Sequence, residues 1–132
     1  MKILLAYDGG APAQRALTTA AGIATAMGGS VDVISVVPMH PGRAPIDPWD
    51  DREVHDRELR EAHQRLADLG ITTRLLEPAG DPAHEIEAAA ETGGYDMVVL
   101  GSRRQNALNR MLQGSVSEHV ATHADTTVVI AH

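Results

Sequence analysis

Short apolar runs and amphipathic stretches alternate five times along this chain. Lys2 to Tyr7, Val31 to Val37, Ile71 to Leu76, Met97 to Leu100 and Thr127 to Ala131 read as strands, most of them apolar on both faces. The stretches between them carry a helical period. Ala13 to Met27 predicts a helix with Ala16, Leu17, Ala20, Ile23, Ala24 and Met27 facing inward. A second runs from about Trp49 to Leu69, with Leu59, Ala62, Leu66 and Leu69 on one face. A third follows Asp81-Pro82 with Ile86, Ala89 and Ala90 inward, and a fourth spans Ser115 to about His123.

The punctuation agrees with this division. Asp47-Pro48 and Asp81-Pro82 each pair an N-cap acceptor with a proline suited to the first helical position. Gly28-Gly29, Gly70 and Gly93-Gly94 stand where helices should stop. Strands apolar on both faces, separated by amphipathic helices, predict an α/β fold: a five-stranded parallel sheet covered on both sides. Right-handed crossovers make 3-2-1-4-5 the natural strand order. Ligands of such sheets sit beyond the carboxyl ends of the strands, where the order reverses. Here that is the crevice between strands 1 and 4, flanked by the loops Asp8 to Ala11 and Gly101 to Ser115.

Bulk composition narrows the partners. With 132 residues, a single domain over 1–132 is expected. Eleven basic against 18 acidic residues give a formal charge of −7, which argues against nucleic acid and anionic membranes as partners. The exception is local: Arg103, Arg104 and Arg110 crowd the loop after strand 4. Lys2 is the sole lysine. There is no cysteine, so disulfides and thiolate metal sites are unavailable. The apolar run at the N-terminus is too short for a signal sequence or a membrane span, so a cytoplasmic location is expected.

Asp8, Gly9 and Gly10 follow strand 1 and admit two readings. In one, Asp8 satisfies backbone donors of a helix-entry turn whose glycines take positive φ. In the other, Asp8 accepts from a ligand's ribose or base. Ser115-Val116-Ser117-Glu118 also reads two ways: as a capping box, and as a helix N-terminus offering amides and hydroxyls to a phosphate. A cap leaves other amides free, so the two can coexist.

Gly101-Ser102-Arg103, Leu108, Met111, Leu112 and Gly114-Ser115-Val116-Ser117 resemble the nucleotide loop of the universal stress protein family. That signature runs glycine, two residues, glycine, nine residues, glycine, then Ser or Thr. The likeness extends to Asp8-Gly9, Gly80-Asp81-Pro82-Ala83 and Tyr95-Asp96, and so covers nearly the whole chain. It implies a Rossmann-like sandwich of the adenine nucleotide alpha hydrolase-like kind, a stress-response role and a homodimer. It also implies a site for ATP with Mg2+, or for another adenine nucleotide. Carried over by position, Asp8 and Gly9 would meet the adenosine part, Val36 the adenine and Gly101 the ribose. Arg103 and Arg104 would lie in the loop, and Gly114, Ser115, Val116 and Ser117 at the phosphates.

Arg104 stands where the ATP-binding signature has its second glycine, and Ala107 where a glycine is common. An arginine disfavours positive φ and obstructs a close backbone approach to phosphate, yet its guanidinium can pair with one. Two readings therefore stay open: an adenine-nucleotide binder, or an ATP-independent interaction module whose phosphate loop is altered by Arg104.

Catalysis has little sequence support. The loop lacks a lysine, and neither a P-loop nor a nucleophile elbow is present. The expectation is a non-enzymatic protein with no catalytic residues, slow ATP hydrolysis being a third possibility. His119 and His123 are spaced to share a helix face, but no third metal ligand stands at a useful spacing, so no metal site is expected. The last strand, Thr126 to Ala131, has only His132 after it. It is expected to be a sheet edge open to a second copy of the chain.

Overall fold

The computed structural model describes residues 1–38, 52–101 and 116–132. Seven strands alternate with four helices among these residues: β1 (Lys2–Ala6), α1 (Ala11–Met27), β2 (Ser30–Ile34), β3 (Val37–Pro38), α2 (Arg52–Asp68), β4 (Leu75–Leu76), β5 (Ala79–Gly80), α3 (Pro82–Thr92), β6 (Met97–Gly101), α4 (Val116–His123) and β7 (Thr127–Ala131). Five strands form one sheet in the order β4-β2-β1-β6-β7, and every pair in it is parallel. This is the order expected from the sequence, because β3 and β5 pair with each other as a separate two-stranded ribbon.

β1 and β2 are buried on both faces, since each lies inside the sheet with helices on either side. Ile3, Leu5, Val31, Val33 and Val99 pack against α1 and α2 through Leu17, Leu59 and Leu66. Leu4, Ile34, Val98 and Leu100 pack on the opposite face against Ile86 of α3 and Val120 of α4. Each fully buried aliphatic side chain contributes on the order of 1.5–3 kcal/mol relative to exposure. Residues of alternating parity thus serve two cores, which is why the strand sequences are apolar throughout.

The helix ends follow local chemistry. The Asp81 carboxylate accepts from the His84 N–H at 3.0 Å, capping α3 ahead of Pro82. Gly28 closes α1 in a left-handed conformation at φ 69°.

Several boundaries differ from the sequence reading. Met27 and Leu69, expected to face inward, are each 60% exposed, because both sit at the ends of their helices beyond the sheet they cover. The second strand stops at Ile34 rather than Val37, and Val37–Pro38 leaves the main sheet to pair with Ala79–Gly80. Of the expected strand Ile71 to Leu76, only Leu75–Leu76 forms a regular ladder. Even so, the Thr72 and Arg74 carbonyls accept from the Val31 and Val33 N–H groups.

Candidate functional site

β1 and β6 are parallel neighbours in the sheet, with Leu5 opposite Val99. After β1 the chain turns tightly into α1. The Gly10 N–H donates to Asp8 Oδ1 at 3.0 Å, which makes Asp8 the acceptor of an Asx turn. Gly9 takes φ +80°, whereas Gly10 stays extended at φ −74° as the N-cap residue of α1. Only one of the two glycines therefore uses the positive-φ conformation anticipated for both.

Gly101 closes β6 beside the first turn of α1. A Cβ on Gly101 would collide with the carbonyl and ring of Pro12. This backbone-to-backbone approach requires glycine and seats the end of β6 against the first turn of α1. Val36 follows β2, half-buried against the core of Leu4, Ile34 and Val98. Val116 opens α4 with its side chain exposed, and Ser117 behind it is buried. Arg103, Arg104, Gly114 and Ser115, together with Ala107, lie outside the described residues, as does the Pro38 to Pro48 loop beyond its first residue.

The α2 side of this turn is acidic. The Glu58 side chain of α2 lies directly over Gly9, where an added Cβ would come within 2.7 Å of its carboxyl carbon. Its Oε2 is buried and makes no hydrogen bond. Burial first, then the nearby negative charges of Asp8 and Glu61, push the Glu58 carboxyl up to about 7. Next to it, the Tyr7 hydroxyl receives a hydrogen bond from Gln14 Nε2, and Arg65 donates to Gln14 Oε1. Burial raises the Tyr7 hydroxyl above its ordinary value. The sequence reading missed Glu58, whose place over Gly9 depends on how a helix some fifty residues away packs.

The profile of the Universal stress protein family matches residues 1–132. This chain belongs to the universal stress protein family. A Bacillus subtilis relative, Universal stress protein YxiE, is 35% identical over 72 residues, 54% of this chain and 49% of its own. The chain therefore spans about half the length of that relative in the match. Among solved structures, a universal stress protein in complex with cAMP superposes with a TM-score of 0.81. It is 23% identical, covering 100% of this chain and 97% of its own. The Archaeoglobus fulgidus universal stress protein in complex with dAMP gives a TM-score of 0.79 at 22% identity, with coverage of 100% and 98%. At those identities the likeness concerns the fold.

Within the universal stress protein frame, the described positions fall into two groups. Asp8, Gly9, Gly101 and Val36 lie at or just beyond the carboxyl ends of β1, β6 and β2, while Val116 and Ser117 begin α4. The sole lysine lies at the other end of the sheet. Lys2 Nζ donates to the Gly93 carbonyl at 2.7 Å and sits 4.6 Å from the centre of the Tyr95 ring. No described helix is long and apolar enough to cross a membrane.

Proposed function

We propose that this chain is a nucleotide-responsive stress protein that binds an adenine nucleotide between the ends of β1 and β6. The observation that carries this reading is the contact of Gly101 with Pro12 beside the Asp8-Gly9 turn. It seats the end of β6 against the first turn of α1 beside the point where the strand order reverses, the usual ligand position in such sheets. The cAMP and dAMP complexes of structurally similar family members support an adenine nucleotide as the occupant.

Charge divides the crevice. Asp8 suits the hydroxyls and amino group of a nucleoside, and Gly9 lets the backbone approach them. Val36 offers an apolar contact for the base. Arg103 and Arg104, with Gly114, Ser115, Val116 and Ser117 at the entry to α4, suit the phosphates. ATP with Mg2+ is the ligand the family signature favours, and a monophosphate makes fewer demands on the altered loop. Binding rather than turnover is the role, in keeping with a sequence that carries neither a P-loop nor a nucleophile elbow. The chain acts as one cytoplasmic domain without nucleic-acid or membrane partners, and pairs with a second copy through β7.

Arg104 favours one competing reading, an ATP-independent interaction module. Calorimetric titration of the protein and of its Arg104→Gly variant with Mg-ATP and with AMP separates the two. Micromolar binding of either nucleotide by the native chain is the expected result. Binding by the variant alone would mean that the arginine closes the site and that the native protein works without nucleotide.

A further inference from the structure

We propose that Glu87, His119 and His123 form a binding site for a divalent transition cation of the zinc class, on the surface where α3 meets α4. The site is separate from the nucleotide crevice and uses none of its residues. His119 and His123 are four residues apart, on one stripe of α4, and their rings stack with centroids 4.1 Å apart and planes inclined by 21°. Val120 of the same helix is fully buried in the core, so its packing holds the stripe in place beside α3.

The third donor comes from the neighbouring helix. Glu87 Oε1 on α3 lies 2.7 Å from His119 Nδ1, a hydrogen bond between groups that a metal can bridge once the shared proton leaves. One donor atom from each of the three residues lies within 4.8 Å of the other two. A tetrahedral zinc with ligands at about 2.0–2.1 Å needs donor separations of roughly 3.4 Å. The difference is within the reach of side-chain rotation, because both histidines are exposed and Glu87 is only partly buried.

Ligand chemistry selects the cation. Two imidazoles and one carboxylate, with a fourth position left to water, form a donor set suited to zinc; calcium and magnesium prefer all-oxygen sites. His123 ends α4, where the helix dipole favours positive charge. Chelation would clamp α3 to α4, the helix that follows residues 102–115 in the chain.

Calorimetry with zinc chloride on the metal-free chain tests the site, and Co2+ absorption reports its geometry. One cation per chain is expected, with the visible bands of tetrahedral cobalt. His119→Ala or His123→Ala should abolish binding. Glu87→Gln, which keeps a hydrogen-bonding side chain, should weaken it at least about tenfold. His63→Ala on α2 serves as the control and should leave it unchanged. Thermal melts by circular dichroism establish that each variant is folded. No stoichiometric binding by the native chain, or binding that survives both histidine substitutions, would overturn the proposal.

Discussion

The Tyr95 hydroxyl donates a 2.6 Å hydrogen bond to Asp32 Oδ2, joining the turn before β6 to a carboxylate buried in the middle of β2. Arg74, the residue before β4, completes the group from the other side of β2. Its backbone N–H reaches Oδ1 at 3.1 Å, and its guanidinium reaches Oδ2 from Nε at 3.2 Å and from the terminal nitrogen at 3.0 Å. A charge in a sheet core is costly unless it is paired and hydrogen-bonded. Here both oxygens of Asp32 are satisfied.

This network makes a stability prediction with a pH signature. Burial alone would raise the Asp32 carboxyl, but the hydrogen bonds from Tyr95 and Arg74 outweigh it and hold the group below its ordinary value. Burial and the Asp32 carboxylate push the Tyr95 hydroxyl up to about 12. A lowered carboxylate contributes stability above its unfolded value that is lost as pH falls through the folded value. Tyr95→Phe should cost about 1.5–3 kcal/mol at neutral pH, the usual worth of a hydrogen bond to a charged group. Asp32→Ala leaves the buried Tyr95 hydroxyl without its acceptor and should cost at least as much. Urea denaturation at neutral pH and in acid checks both. Penalties as large in acid as at neutrality would contradict the ionised network.

Glu58 behaves in the opposite sense. Its carboxyl is raised to about 7 by burial and by the charges of Asp8 and Glu61. The protonated form is therefore favoured in the folded chain. The stability this gives is fully present below the unfolded value of about 4.5 and is lost as pH rises through about 7. Glu58→Gln keeps the shape and removes the charge. The variant should melt higher than the native chain at pH values above about 7, and the gap should close toward acid. Melting curves across that range decide it, and a constant gap would mean that the Glu58 charge is not the cause.

The fold was legible because each central strand is apolar on both faces, and Asp81-Pro82 announced α3. The sequence was silent where contacts are distant. Periodicity could not show that Met27 and Leu69 overrun the sheet, since a helical stripe does not say where its partner surface ends. Nor could it show that the chain leaves the main sheet after β2 to pair Val37 with Ala79. Asp8-Gly9 stood out as a turn, but Glu58 over Gly9 and Glu87 beside His119 come from other helices. No local spacing encodes those approaches. His119 and His123 were visible as a pair, and only the packing of α3 on α4 brings a third donor.

The edge of the sheet carries the next prediction. Among the described residues β7 pairs only with β6, and Thr127 faces solvent at its start. An unpaired strand edge invites a second strand. Light scattering at micromolar concentration should return the mass of a dimer. Thr127→Lys, which places a charge on the edge without entering the core, should shift the population toward monomer. A native chain that runs as a monomer would remove β7 as an interface.

Gly101 tests the crevice from its tightest point. A methyl group there meets the Pro12 backbone, which cannot move without shifting the first turn of α1. At Gly9 the added atom would meet the Glu58 carboxylate, the mobile end of a side chain, though the φ of +80° adds strain. Gly101→Ala should therefore lower stability by about 1–3 kcal/mol, as overpacking does, and also weaken nucleotide affinity by prising β6 from α1. Gly9→Ala combined with Glu58→Ala removes the clash but leaves the strained backbone, so it should recover only part of the loss caused by Gly9→Ala alone. Parallel denaturation and nucleotide titration of these variants distinguish the two effects. If Gly101→Ala weakens stability but leaves affinity intact, the contact with Pro12 holds the fold together and does not shape the nucleotide site.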